Sequence, residues 1–227
     1  MTDDKTSAAG RRTYRSSLRS EQAADTRRRV LLAAAECFST RGYGRTTLTD
    51  IASAAHVSVE TVKVNGAKRD LLLAAFEQTF AGAEGVEPLS SRPELATLLA
   101  LADPQQLLEH STSFLADANA RASALWRAFN SAADTDPAIR VALDALLERR
   151  RADITSATAG LQARGLVAAG HEALVRTADV VSFLTSPEGY EQLVTGAGWT
   201  HEAYTHWLRT ALERLVVSAP TDETAGG

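Results

Sequence analysis

The residues best suited to chemistry stand together in one stretch, VSVETVKVNGAKRDLL, Val57 to Leu72. Ser58 and Thr61 carry hydroxyls that bond phosphates or base edges. Val59 offers a surface for a thymine methyl, and Glu60 can accept from a cytosine amino group. Lys63 and Lys68 supply positive charge suited to phosphate. Just upstream, Thr46, Thr47 and Thr49 gather where a helix begins, and the free N–H groups of a helix start attract anions. The second set would hold register on a duplex while the first reads sequence. Glu60 repels phosphate, so it must face the groove floor or solvent. As an ordinary solvated helix residue it would read nothing.

Such residues work only if short helices hold them. Val30, Ala34, Cys37, Phe38 and Arg41 fall at helical spacing from Asp25 to Arg41, and Gly42 stops that helix. Cys37, beside Phe38 on the apolar face, reads as a small buried hydrophobe rather than a reactive thiol. Thr47 and Asp50 form the opening of a second helix. Ser58 caps a third, about 59–64, with Val57 and Val62 on its inner face and Asn65-Gly66 at its end. A fourth runs from about 68 to 82. The middle pair, about 47–66, has the size and spacing of a helix-turn-helix, which its neighbours must clamp because helices this short do not stand alone.

The rest of the chain reads as helices near 93–102, 104–132, 137–164, 171–185, 187–196 and 201–218, punctuated by prolines and glycines. The stretch 104–132 could be one helix or two. The expected fold class is all-α: a three-helix helix-turn-helix head within residues 21–82, a linker after Gly82, and a larger helical bundle over 83–227. Residues 1–20 are polar, with "RRTYRSSLR" at 11–19, and are expected to be a disordered basic arm, either tracking phosphates or merely solubilising.

Charge is divided along the chain. Residues 1–80 hold 13 Lys and Arg against 9 Asp and Glu, whereas residues 81–227 hold 11 against 19. A basic head on an acidic body suits an anionic partner for the head alone. One cysteine permits no disulfide framework within the chain, and the N-terminus has no apolar leader core. No apolar run approaches a bilayer span, so no membrane is expected and a cytoplasmic location is. There is no Gly-rich phosphate loop, no nucleophile motif and no metal-ligand spacing, so the expectation is no enzyme, no metal and no cofactor.

Two features of the body suggest partners. His110, Phe114, Arg121, Trp126, Phe129 and Asn130 mix apolar bulk with polar groups at helical spacing and could line a cavity for an aromatic or amphipathic small molecule. They could equally be core aromatics and solvated polar residues. Leu174, Ala178 and Val181 form one stripe; Tyr204, Trp207, Leu208, Ala211 and Leu215 form another. Two such helices from each of two chains would close a four-helix bundle, unless both stripes face the monomer core.

RRRVLLAAAECFSTRGYGRTTLTDIASAAHVSVETV, Arg27 to Val62, strongly resembles the DNA-binding head of TetR-family transcriptional regulators. The likeness rests on the ordered signature F-x-x-x-G-Y-x-x-T-T-x-x-D-I-A-x-x-A-x-V-S. It fades through AKRDLLLAAFE. FLTSPEGYEQLV and GWTHEAYTHWL look, more softly, like the C-terminal region of an actinobacterial-type branch. The resemblance implies a homodimer on a near-palindromic operator of double-stranded DNA, a small-molecule effector, and repression. Two departures matter. His56 stands where the family has glycine in the turn. After Thr61-Val62 the family's "TVYKxFG" becomes Lys63-Val64-Asn65-Gly66, which lacks the Tyr implied to touch phosphate and the Phe implied to anchor the helix. Either Lys63 takes over the phosphate contact, or the chain is a TetR-like dimer that has lost specific DNA binding.

Overall fold

The computed structural model describes the backbone of residues 5–216 and the side chains of residues 20–215. Among these residues there is no strand; the helices are α1 (Lys5–Arg41), α2 (Leu48–Ala55), α3 (Val59–Asn65), α4 (Lys68–Ala81), α5 (Pro93–Leu99), α6 (Pro104–Ala133), α7 (Pro137–Ala163), α8 (His171–Leu184), α9 (Pro187–Tyr190) and α10 (His201–Val216). A π turn at Glu191–Gly196 follows α9.

The first helix corrects an expectation. The segment read as a disordered arm is helical from Lys5 onward, so that α1 spans 37 residues. Residues 5–24 contain no proline and one glycine. Once the packed half of α1 is nucleated, extension backwards costs only propagation, which Ala, Arg, Leu, Gln and Glu favour. The side chains of Arg11, Arg12, Arg15 and Arg19 lie outside the described residues, as do residues 217 and 218 of the last expected helix.

The head is built as its sequence pattern demands. Val30, Leu31, Ala34 and Phe38 of α1, Ile51 and Ala52 of α2, Val62 of α3 and Leu71, Leu72 and Ala75 of α4 are buried together. Cys37 is in this core, and burial pushes its thiol pKa up. The turn between α2 and α3 passes through His56 at φ 54° and ψ 47°. His56 therefore occupies the left-handed region that glycine enters without penalty, as the tight turn requires.

The same core runs on into the body. Trp126 and Phe129 of α6 and Ile139 and Leu143 of α7 belong to it. Phe76 of α4 meets Trp126 at a ring-centroid distance of 5.0 Å. The linker after Gly82 is thus a change in the chain's course, not a gap in packing. α6 is a single helix of 30 residues. At its other end a second cluster forms from Leu107, Leu108, Ala116, Val167, Tyr190, Tyr204, Leu208 and Leu212. Asn119 ties that end together, its Nδ2 donating to Thr185 O at 3.2 Å and to Tyr204 Oη at 3.4 Å.

Candidate nucleic-acid interface and cavity

α2 begins with a complete capping box. Thr47 Oγ1 accepts from Asp50 N at 3.1 Å and Thr47 N donates to Asp50 Oδ2 at 2.8 Å. The Thr47 bonds hold the Asp50 carboxyl below its ordinary pKa, and Arg41 Nη1, 2.6 Å from Asp50 Oδ1, adds to this. Thr47 and Thr49 are exposed at this helix start. Thr46 is not: it is 1% exposed, and its hydroxyl donates within the loop to Cys37 O at 3.0 Å and Gly42 O at 2.9 Å. As a phosphate contact Thr46 is therefore corrected, because it closes the turn between α1 and α2 instead. The exposed Arg45 beside it went unremarked in the sequence, though its position before the α2 start is the signal that would have found it.

Ser58 caps α3, its Oγ accepting from Thr61 N at 3.0 Å and lying 2.8 Å from Thr61 Oγ1. Ser58, Glu60, Lys63 and Val64 are exposed, Thr61 is half-buried, and Val62 faces the core. Val59 packs partly against that core. Val64, at 87% exposure, presents the free apolar surface that Val59 was expected to offer. Lys63 Nζ is paired with Glu60 Oε1 at 2.8 Å. Lys68 Nζ lies 4.2 Å from the centre of the Tyr43 ring, and burial lowers its pKa.

The end of α3 is held by polar groups. Asn65 Nδ2 donates to Thr61 O at 2.7 Å, while Arg27 Nη1 of α1 donates to Asn65 O at 2.6 Å and the same guanidinium pairs with Glu84. A cation on the last carbonyl of a helix satisfies a group the helix cannot. Asn65 and Arg27 thus fasten the place where an aromatic anchor is absent.

The body carries a partly open cavity of about 480 Å3 between α4, α5, α6, α7, α8 and the segment 85–92, with Pro187 and Glu188 of α9 and Leu212 of α10 at its edge. Of the six expected lining residues only Trp126 reaches it. His110 and Arg121 are exposed, and Phe114 is half-buried. They lie roughly a third of a turn around α6 from the row Leu107, Ser111, Leu115 and Trp126 that faces the cavity. Phe129 is buried in the head-side core, and Asn130 bonds back to Trp126 O at 3.0 Å. The wall comes from several helices, so no single segment's periodicity marks it. Phe76 and Trp126 serve both the cavity wall and the head's core.

Part of each expected dimer stripe faces the core of this one chain. Ala178, Tyr204 and Leu208 are buried inside this one chain, and Val181, Trp207 and Leu215 pack against the same cluster. Leu174 and Ala211 are half-buried. α8 is apolar on two sides, and the side away from the core carries Val180 at 40% and Phe183 at 75% exposure.

Residues 30–64 match the family model for bacterial regulatory proteins of the tetR family. Over these residues the head matches the TetR family. Over most of its length the chain shares the fold of solved TetR-family structures. It superposes on a TetR-family transcriptional regulator from Rhodococcus sp. with a TM-score of 0.65 at 19% identity, covering 85% of this chain and 99% of that one. A Mesorhizobium loti TetR-family regulator gives 0.63 at 22% identity, covering 86% and 97%. A transcriptional regulator from Saccharomonospora viridis, in complex with choline, gives 0.62 at 21% identity, covering 84% and 96%. Comparison with curated proteins finds no match. No helix among the described residues is long and apolar enough to cross a membrane.

Proposed function

We propose that this chain is a ligand-responsive DNA-binding regulator, acting as a repressor and binding a near-palindromic operator as a homodimer. The observation that carries the reading is the double use of α4. Leu71, Leu72 and Ala75 hold the head's core, while Phe76, Glu77, Phe80 and Ala81 of the same helix line the cavity. A ligand that prefers one placement of α4 would bias the placement of α3, and differential affinity for two states is what couples two sites.

In this reading the start of α3 enters the major groove. Ser58, Glu60, Thr61 and Val64 meet base edges, with Val59 in support, while Thr47, Thr49, Arg45, Lys63 and Lys68 meet backbone. Two copies join through the outer side of α8, where Phe183 would be covered, together with α10. The choline held by the Saccharomonospora viridis relative supports a small molecule as the effector class. An electrophoretic shift with the DNA flanking the chain's own gene tests the proposal. A discrete complex that survives competitor DNA is expected, and a genome-wide map of bound sites would supply the operator.

A second reading has an observation of its own. In the free chain Lys63 is already paired with Glu60, and Glu60 sets a carboxylate on the reading surface. Equal, salt-abolished affinity for every sequence would favour a TetR-like dimer without specific DNA binding.

A further inference from the structure

The charged groups around the cavity are unevenly satisfied. Glu77 is paired with Arg149 at 2.7 Å and accepts from Gly85 N at 2.9 Å. Asp153 accepts from Ser90 N at 3.2 Å and from the Ser90 hydroxyl. Glu87 and Glu188 are exposed. Arg92 donates to Ala81 O at 3.1 Å and to Ala83 O at 2.5 Å, closing the end of α4.

Arg92 therefore has only neutral partners, but they are the main-chain carbonyls of a helix end, which a cation suits. Arg150, from the middle of α7, has no such carbonyl cluster to serve. Its partners are neutral: Ser182 Oγ at 2.6 Å, Ser182 O at 3.0 Å and Thr185 Oγ1 at 3.0 Å. A guanidinium has five N–H donors, so two remain. No carboxylate among the described residues forms an ion pair with it; burial, the largest influence, lowers its pKa, and the more distant charges of Glu188 and Asp153 offset this only in part. A cation in an apolar wall is costly unless an anion joins it.

Further polar atoms in the same wall lack partners, Arg92 Nε among them. Ser111 Oγ and Trp126 Nε1 are buried without a hydrogen bond. Both can donate, as Arg150 can. What the wall lacks is an acceptor, and an anionic one at Arg150. Ser111 and Trp126 are separated by roughly four turns of α6, so the cavity is long. Leu107, Leu115, Leu146, Leu161 and Val181 give its wall an apolar character along that length.

We infer that the cavity takes a lipophilic carboxylic acid, whose carboxylate pairs with Arg150 and whose hydrocarbon lies between α6 and α7. A quaternary ammonium does not suit this wall, since its enclosed carboxylates are already engaged. The inference rests on the regulator reading only for its consequence at the operator; binding of the acid stands apart from it.

The test is calorimetric titration of the full chain with decanoate, decan-1-ol and decyltrimethylammonium, with thermal shift in parallel. Decanoate should bind at least about tenfold more tightly than decan-1-ol, and the ammonium should not bind. Arg150→Gln should lower decanoate affinity about tenfold or more while sparing decan-1-ol, and Arg150→Lys should fall between. Equal binding of acid and alcohol, preference for the ammonium, or no binding of decanoate would overturn the inference. So would an Arg150→Gln variant that keeps full decanoate affinity. If that variant does not fold, the comparison of the three probes on the unaltered chain decides. A chain that shifts its own upstream DNA but ignores decanoate sinks this inference and leaves the regulator reading standing. One that binds decanoate but no DNA does the reverse.

Discussion

Arg27 of α1 and Asn65, the last residue of α3, are joined by a 2.6 Å hydrogen bond from guanidinium to main-chain carbonyl. It links the end of α3 to the longest helix of the head. The same guanidinium pairs with Glu84 beyond α4, and the hydrogen bonds to Glu84 raise the arginine's pKa.

Arg27→Ala should loosen α3 without unfolding the body. The group is half-exposed, so solvent screening limits the loss to about 1 kcal/mol of stability. Operator affinity should fall further than stability does, because a frayed α3 must be ordered again on binding. Denaturant midpoints beside binding isotherms test this; an unchanged operator affinity would remove Arg27 from the clamp.

Lys63→Ala should weaken binding to all sequences alike and reduce the slope of log affinity against log salt by about 1. Glu60→Gln should act in the opposite direction, freeing Lys63 and removing a negative charge from the surface facing phosphate. The pair is exposed, so neither substitution should move thermal stability much. A change in preferred sequence for Lys63→Ala would instead make it a base reader. Binding-site selection on randomised duplexes separates the two.

Phe183→Ser should leave helicity intact and shift the chain from dimer to monomer. Phe183 is 75% exposed in the single chain, so its truncation opens no internal cavity. Sedimentation velocity at several concentrations reports the shift. A variant as dimeric as the parent would place the interface elsewhere.

The capping box gives a pH dependence of known sign. The bonds from Thr47 hold the Asp50 carboxyl below its ordinary value of 3.8. A depressed carboxylate contributes stability above its unfolded pKa and loses it as pH falls through its folded pKa. Asp50→Asn should therefore be less stable than the parent at neutral pH and indistinguishable from it well below pH 3.8. Urea midpoints for both proteins across that range check the prediction; a gap that persists in acid would mean that the cap does not depend on the charge.

Much of the head was legible because its determinants are local. Capping by Thr47 and Ser58, the stop at Gly42 and the period of Val30, Ala34 and Phe38 each act within a turn or two of chain, and the structure places these elements where the pattern puts them. The left-handed turn falls at His56, where the resemblance puts a glycine. The helix over residues 5–19 was not legible because composition alone does not register a helix propagating backwards from a packed segment.

Only tertiary structure decided the rest. An apolar stripe shows that a face is covered, not by what: Tyr204 and Leu208 turned out to be covered by their own chain, leaving Phe183 outside. Thr46 looked like a free hydroxyl until the carbonyls of Cys37 and Gly42 closed over it. Of the six residues expected to line the cavity only Trp126 does; α6 turns Leu107, Ser111 and Leu115 to it instead, and Phe76, Leu146, Arg150 and Val181 come from three other helices. Helical periodicity states which residues of one helix share a face. Which faces of different helices enclose a space, and which arginine in that space lacks an anion, depends on how the helices pack.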